Sequence, residues 1–240
     1  MRLSDLLECV HPLTFEDGFE GFEYSAGGTF FFGRYRQTYY GITAKHCLRN
    51  RDKETIRLFI DPSPEGNDFI AVRQLHVIDD PEHGTCDWAD LAFMELRDES
   101  LTDSQKSADW FVDFDYLTKR SVYLHEGDQL VTRGCPNCLG EIDYDASKFR
   151  HGFFAVDGIY GGRGTEPRTH IFSFSDLSQI SDINGMSGSP VFKVKTDASG
   201  MDYWFAGVIL RGGKTSGTAR FVDCGVVYHA LKRVSKRTAH

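Results

Sequence analysis

Short runs of β-branched and aromatic residues, separated by glycine, aspartate and proline, follow one another along most of the chain. Such runs predict β-strands, because branched and aromatic side chains pack well on a pleated surface and the separating residues favour turns. Many short strands of this kind predict an all-β barrel or sandwich. The predicted strands cover residues 29–36, 38–44, 56–60, 71–78 and 90–96, and then 121–124, 129–134, 153–161, 170–175, 189–194, 204–210 and 219–227.

A polar segment at residues 97–119 separates the two groups of predicted strands. We interpret it as the crossing between an N-terminal half, residues 1–110, and a C-terminal half, residues 111–240, of one domain. Helical patterns occur near the two ends of the chain. They predict a short helix at residues 3–9 and a closing helix at residues 226–237.

Composition and charge exclude some classes of protein and favour a folded domain. With 240 residues, 40% of them apolar, the chain is long enough to bury a sizeable core. Its net charge of −8 argues against broad binding to nucleic acid or to anionic lipid. Basic residues do cluster in the last ten positions, LKRVSKRTAH, which form either a solvated helix face or a contact for phosphate or an acidic partner.

The chain starts without the apolar core of a secretory signal and contains no apolar run long enough to cross a membrane. We therefore expect a cytoplasmic protein without membrane attachment, whose six cysteines are reduced. Cys135 and Cys138 form a CxxC pair, which is either a redox or zinc motif or a plain loop. No second pair is spaced to complete a zinc site.

The segment NGMSGSP (184–190) carries a candidate nucleophile. Ser187 is flanked by Gly185 and Gly188, where the backbone can turn tightly and approach a ligand. The N–H groups of Gly185 and Ser187 would be the donors to an oxyanion that develops in acyl transfer. An ordinary glycine–serine turn is the alternative interpretation.

Two further segments supply a base and a carboxylate. His46 ends the apolar strand of ITAKHC (42–47), and Asp90 opens the apolar strand of DWADLAFMEL (87–96). A serine nucleophile needs both groups, because the base takes its proton and the carboxylate orients and stabilises the base. Each residue alone also fits a surface or capping role, and Asp87 competes with Asp90 for the carboxylate.

In this order the three segments resemble the chymotrypsin-like serine proteases, closest to the bacterial HtrA-type branch without a PDZ domain. That family has its histidine in TAAHC, its aspartate in D-[IL]-A-L and its serine in G-x-S-G-[GS]-P. The corresponding segments here are TAKHC (43–47), DLAF (90–93) and GMSGSP (185–190). The resemblance covers roughly residues 27–230 and includes GDQLVTRGCP (127–136), FFAVDGIYGG (153–162) and AGVILRGG (206–213).

The resemblance implies two antiparallel six-stranded Greek-key β-barrels and a C-terminal helix, with the active site between the barrels. It implies a serine endopeptidase that hydrolyses peptide bonds of protein substrates through a triad of His46, Asp90 and Ser187. Gly185 and Ser187 would form the oxyanion hole, and no metal or organic cofactor is implied. Because an intracellular protease needs restraint, we also expect an activating or regulatory protein partner.

The chain departs from the family at two positions near the predicted site. Met186 stands where secreted members have an aspartate that pairs with a new N-terminus. The oxyanion loop is therefore expected to be ordered by packing, by a partner or by substrate. Cys47 has no cysteine on the strand that carries its usual disulfide partner, which agrees with a reducing compartment.

The substrate preference stays open at this point. Asp182 would favour a basic substrate side chain, whereas Arg211 would favour an acidic one. A catalytically silent binding module on the same fold, or a hydrolase of acyl esters, are the alternatives to an endopeptidase. The resemblance places the primary substrate pocket at Ser181, Asp182, Leu210, Arg211 and Gly212.

Overall fold

The computed structural model describes residues 8–19, 22–59, 69–78, 87–103, 106, 111–117, 122–143, 148–197 and 200–237. These residues are mostly β-structure: one closed six-stranded barrel, one open eight-stranded sheet, a two-stranded sheet and a C-terminal helix. The prediction of a mainly β fold is confirmed. Among the described residues no helix is long and apolar enough to cross a membrane.

The N-terminal half, together with residues 112–113 from the start of the C-terminal half, forms the open sheet. Its strands are β1 (Val10–Phe19), β2 (Phe22–Tyr35), β3 (Thr38–Ala44), β4 (Ile56–Phe59), β5 (Phe69–Ile70), β6 (Val72–Val77), β7 (Leu91–Leu96) and β8 (Val112–Asp113). Their order is β5-β4-β1-β2-β3-β7-β6, and β8 pairs with β2 in parallel. The expected closed first barrel is not found within the described residues, because no ladder joins the edge strands β5 and β6. Only Ala71 separates these two strands along the chain, so the two edges of the sheet lie next to each other.

The C-terminal half forms the closed barrel, in the order β12-β13-β16-β15-β14-β9. Its strands are β9 (Gln129–Gly134), β12 (Phe154–Arg163), β13 (Thr169–Phe174), β14 (Pro190–Asp197), β15 (Gly200–Gly213) and β16 (Thr218–Asp223); β10 (Gly140–Asp143) and β11 (Lys148–His151) form a separate hairpin. Buried and exposed residues alternate along the whole of β12, as expected for a strand with one face toward a barrel interior.

One predicted strand is wrong. Residues 122–124, which the sequence pattern assigned to a strand at 121–124, form no regular structure. The carbonyl of Tyr123 accepts a hydrogen bond from the Lys193 ammonium at 2.9 Å. Its partner is thus a side chain and not the backbone of a neighbouring strand. Residue 121 lies outside the described residues.

Two helices complete the fold: the single turn α1 (Phe114–Leu117) and the closing helix α2 (Cys224–Arg237). The predicted closing helix is confirmed but begins at Cys224, and the predicted helix at 3–9 lies mostly outside the described residues. Val227 and Leu231 of α2 belong to a buried cluster formed mainly by the N-terminal half. The helix thus ties the end of the chain to the N-terminal sheet and stabilises the contact between the halves.

Candidate active site

Neighbouring strands bring His46 and Asp90 together. His46 lies in the 3-10 turn Lys45–Leu48 directly after β3, and Asp90 directly precedes β7. These strands are antiparallel, with Ala44 opposite Leu91, so the end of one meets the start of the other. Asp90 Oδ2 is 2.6 Å from His46 Nδ1, and Asp90 Oδ1 accepts the backbone N–H of His46 at 2.9 Å.

This double contact fixes the orientation of the imidazole. A carboxylate at Nδ1 favours the tautomer with its proton there, which leaves Nε2 to face the remainder of the site. The hydrogen bond to Asp90, and a second contact with Cys47, raise the pKa of His46 from its ordinary value of 6.5 to about 10. Of the two competing carboxylates, Asp90 makes the contact, whereas Asp87 starts the 3-10 turn that precedes it.

Cys47 connects the histidine turn with the serine loop. Its Sγ lies 3.8 Å from His46 Nε2 and donates a hydrogen bond to the Ser187 carbonyl at 3.5 Å. Gly28 provides the space for this sulfur, since a Cβ at Gly28 would lie 2.7 Å from Sγ. One buried side chain thus separates the imidazole from the backbone of Ser187. The described cysteines form no disulfide: Cys9, Cys47, Cys135, Cys138 and Cys224.

The side chain of Ser187 forms its hydrogen bond with a residue other than His46. Its Oγ donates a hydrogen bond to the Leu210 carbonyl at 2.7 Å, and within the described residues no hydrogen bond joins it to the imidazole. The structure therefore places the three predicted catalytic residues in one region but forms only the histidine–aspartate pair. A serine–histidine contact requires another rotamer of Ser187.

The loop around Ser187 requires glycine on both sides. Gly188 has a φ of +90°, and a Cβ there would lie 1.9 Å from the Thr29 carbonyl oxygen. Gly185 has a φ of +96°, and its Cβ would lie 2.5 Å from the Cys135 carbonyl oxygen. Side chains at either position would displace the loop from the strands behind it.

The backbone N–H groups of the serine loop differ in their partners. Gly185 and Ser187 are partly exposed, and within the described residues their N–H groups have no protein acceptor. They are the donors that the sequence predicted, and they remain available to a polarised oxygen. The other loop N–H groups are bound: Asn184 to Asp182 Oδ1 at 2.8 Å, Met186 to Ile183 O at 3.0 Å, Gly188 to Ile209 O at 2.7 Å, and Ser189 to Met186 O at 3.1 Å.

Met186 anchors the loop by apolar packing. Only 2% of the residue is exposed, and its thioether lies against Gly134, where a Cβ would come within 2.7 Å of Sδ. Methionine adapts well to such irregular spaces. Apolar packing, without an ion pair, therefore holds this position of the loop. Its neighbours in the buried cluster are Phe154, Val156, Leu177, Ile180 and Ile183.

Ile183, which the sequence analysis did not single out, follows Ser181 and Asp182 and packs against Gly212. A Cβ at Gly212 would lie 2.8 Å from Ile183 Cδ1, so this aliphatic side chain borders β15 at the predicted pocket. The carboxylate of Asp182 is half-buried and bound to a backbone N–H, and Arg211 is exposed. Ser181 is exposed, whereas Leu210 is buried and engages Ser187 through its carbonyl.

The two cysteines of the CxxC pair differ in environment. Complete burial raises the pKa of the Cys135 thiol far above its ordinary value. Partial burial also acts to raise the pKa of Cys138, but hydrogen bonds with Asp182 and Ser181 outweigh it, and the pKa is lowered. The described residues contain no group of three histidine, cysteine or acidic side chains placed to hold a metal ion.

No sequence pattern identified two residues that hold the serine loop through hydrogen bonds. Thr29 contacts both Gly185 and Ser187, and the backbone N–H of Asn137 donates to the Asn184 carbonyl at 2.7 Å. Their partners lie far away along the chain, so no local pattern marks them.

Comparison with models of known protein families gives no match, and comparison with curated proteins gives none either. The functional conclusion therefore rests on the residues described above and on their geometry.

Proposed function

We propose that this protein is a serine endopeptidase of the chymotrypsin-like fold, with His46, Asp90 and Ser187 as its catalytic triad. The observation that carries the proposal is the double contact of Asp90 with His46, at 2.6 Å to Nδ1 and 2.9 Å to the backbone N–H. A carboxylate in this arrangement orients an imidazole and stabilises its charged form, which is its role in serine catalysis. The nearby loop supplies a serine and two unused amide donors.

The proposed reaction proceeds through an acyl-enzyme. Ser187 Oγ attacks the scissile carbonyl carbon while His46 Nε2 takes its proton, and Asp90 retains the hydrogen bond from Nδ1–H. The N–H groups of Gly185 and Ser187 donate to the resulting oxyanion. The C–N bond then breaks, and the leaving amine receives the proton from Nε2. Water next attacks the ester by the same route and regenerates Ser187.

The open N-terminal sheet supports the proposed fold. If β5 and β6 are counted as one strand bent at Ala71, six strands follow one another in a ring, β4-β1-β2-β3-β7-β6/β5. Bent strands of this kind are common at the corners of closed sheets. We propose that this ring is the first barrel, with His46 and Asp90 at its edge, and that the reduced cysteines belong to a cytoplasmic protein.

The resting geometry supports control of activity by a protein partner or by the substrate. Ser187 Oγ is bound to Leu210, and the raised pKa of His46 favours the imidazolium, which cannot accept a proton. Catalysis would require Ser187 Oγ to exchange this hydrogen bond for one with His46 Nε2. The same Ser187–Leu210 hydrogen bond also favours the second candidate function, a catalytically silent binding module.

Labelling with a fluorophosphonate probe tests the proposal. We expect covalent modification of Ser187 in the wild type, none in Ser187→Ala, and a rate at least about 10³-fold lower in His46→Ala. Ser189→Ala is the matched control, because among the described residues this buried neighbouring hydroxyl has no hydrogen-bond partner, and the variant should label like the wild type.

An assay with a denatured protein as substrate then distinguishes the remaining candidate functions. Cleavage products detected by mass spectrometry, and dependent on Ser187, would identify an endopeptidase; hydrolysis of p-nitrophenyl esters alone would identify an esterase. A folded wild type that resists labelling, both alone and with added cell lysate, would favour the binding module.

A further inference from the structure

Thr29 joins the two halves of the protein directly behind the serine loop. It lies in β2 after two glycines, and no part of it is exposed. Its hydroxyl donates to the Gly185 carbonyl at 2.7 Å and accepts the Cys135 N–H at 2.8 Å. Its backbone N–H donates to the Ser187 carbonyl at 3.0 Å. One residue of the N-terminal sheet thus holds both residues whose amides are unused.

The threonine is itself held in place. Its carbonyl accepts a hydrogen bond from the Thr43 hydroxyl at 2.6 Å, so β3, which leads to His46, fixes the backbone of β2 at this point. The hydroxyl of Thr29 donates its single proton to the Gly185 carbonyl and accepts the Cys135 N–H with a lone pair. A buried hydroxyl that both donates and accepts a hydrogen bond has a defined orientation. It therefore also fixes the position of the groups to which it is bound.

Peptide geometry links these contacts to the direction of the Gly185 N–H. In a planar trans peptide the C=O and the following N–H point in opposite directions. The Asn184 carbonyl is bound to the Asn137 N–H, so the Gly185 N–H in the same peptide points away from Asn137. The next carbonyl, that of Gly185, is bound to Thr29. Both peptides that meet at Gly185 are therefore held: the first by Asn137, and the second by Thr29 at its carbonyl and by Ile183 at the Met186 N–H.

Gly185 needs such restraints more than another residue would. Glycine has no Cβ and changes its backbone angles at low cost, so an unrestrained peptide at this position rotates readily. Met186 provides packing on the next residue but no hydrogen bond from its side chain. Within the described residues, Thr29 is the only side chain that binds the carbonyl of Gly185.

We propose that Thr29 is a positioning residue, whose hydroxyl holds the Gly185 peptide so that the N–H groups of Gly185 and Ser187 face the reacting oxygen. This inference rests on the proposed function, because it assigns the two amides to an oxyanion. Thr29 itself touches no reacting atom. Its removal leaves the peptide between Gly185 and Met186 held only through the Met186 N–H, and leaves the Gly185 carbonyl and the Cys135 N–H without the Thr29 hydroxyl.

The test compares Thr29→Val, which keeps the shape but lacks the hydroxyl, with Thr29→Ser, which keeps the hydroxyl. Inactivation by the fluorophosphonate probe is resolved into the rate constant kinact and the half-saturation concentration KI. We expect kinact of Thr29→Val to fall at least about tenfold with KI little changed, because the amides act on the transition state. Thr29→Ser should retain kinact within about threefold of the wild type.

A control separates positioning from stability. Thr14→Val removes another buried threonine hydroxyl, which donates to the Arg57 carbonyl away from the serine loop. It should lower the melting temperature, as Thr29→Val does, but leave kinact unchanged. If Thr29→Val does not fold, Thr29→Ala against Thr29→Ser provides the same comparison.

The outcomes distinguish the two proposals. A wild type that never labels overturns the proposed function and gives no kinact to compare. A wild type that labels, with Thr29→Val equal to it in kinact, overturns the role of Thr29 and leaves the proposed function standing. A fall in kinact that Thr29→Ser does not reverse assigns the effect to packing and also overturns the inference.

Discussion

Ser187 Oγ donates its hydrogen bond to the carbonyl of Leu210, at 2.7 Å. The hydroxyl is thus hydrogen-bonded to β15 of the closed barrel, while the imidazole of His46 is hydrogen-bonded to Asp90 of the N-terminal sheet. Each half of the protein orders its own part of the candidate site. The contact that completes a triad has to form between the halves, where Cys47 and Thr29 lie.

The assignment of the carboxylate can be tested with two aspartates of the same segment. Asp90→Asn should slow labelling of Ser187 by about 10⁴-fold, because an amide cannot stabilise the imidazolium and permits the wrong tautomer. Asp87→Asn is the matched control and should label at the wild-type rate. Rates measured with the fluorophosphonate probe decide between them, and a larger loss in Asp87→Asn would transfer the role to that residue.

The raised pKa of His46 predicts an alkaline pH profile. The neutral imidazole is the form that accepts a proton, so below the pKa the rate should increase about tenfold for each pH unit. With the pKa raised from 6.5 to about 10, the rate should still be rising at pH 8. The measurement is the labelling rate of Ser187 between pH 5 and pH 11, with Ser187→Ala as the background.

Cys47→Ala provides a check on the cause of this profile. Its sulfur is the second of the two groups that raise the pKa of His46, and Asp90 is the first. Both contact the imidazole. The variant should therefore move the profile toward lower pH. A wild-type rate that levels off near pH 7 would contradict the raised pKa.

Gly188 should be far more sensitive to substitution than a glycine of similar backbone angle elsewhere. Gly188 has a φ of +90° and Gly127 a φ of +88°, but a Cβ at Gly188 would meet the Thr29 carbonyl at 1.9 Å, and one at Gly127 would meet nothing within 4 Å. We expect Gly188→Ala to lower the free energy of unfolding by about 3 kcal/mol or more and Gly127→Ala by about 1 kcal/mol. Urea unfolding measures both. Equal losses would show that the loop is not packed as described.

Met186 should not tolerate replacement by aspartate. The side chain is buried among aliphatic and aromatic residues, so a carboxylate there would be desolvated without a counterion. Met186→Asp should lower the free energy of unfolding by about 3–5 kcal/mol at neutral pH. Burial would raise the pKa of the new carboxyl above its unfolded value, so stability should be lost as pH rises above about 4 and regained below it. Met201→Asp, at a residue 61% exposed, should change little.

Some strands could be predicted from the local sequence, and others could not. Strands β3 and β9 have the predicted boundaries, since their side chains favour a pleated surface whatever lies beside them. Strand β1 was missed because it contains Pro12 and Gly18, which locally favour turns. Its pairing with β2 tolerates two register shifts and stabilises the strand through contacts that a local pattern does not contain.

The sequence by itself determined the mainly β fold, the closing helix and the candidate residues His46, Asp90, Gly185 and Ser187, because these depend on side-chain type and on neighbours along the chain. The tertiary structure decided which groups meet. It joined Asp90 to His46, turned Ser187 toward Leu210, and left the N–H groups of Gly185 and Ser187 without an acceptor in the described part of the chain. It also placed Thr29 against Gly185, a partner 156 residues away. Contacts at such separations depend on how the sheets close and pack, and no spacing within a motif encodes them.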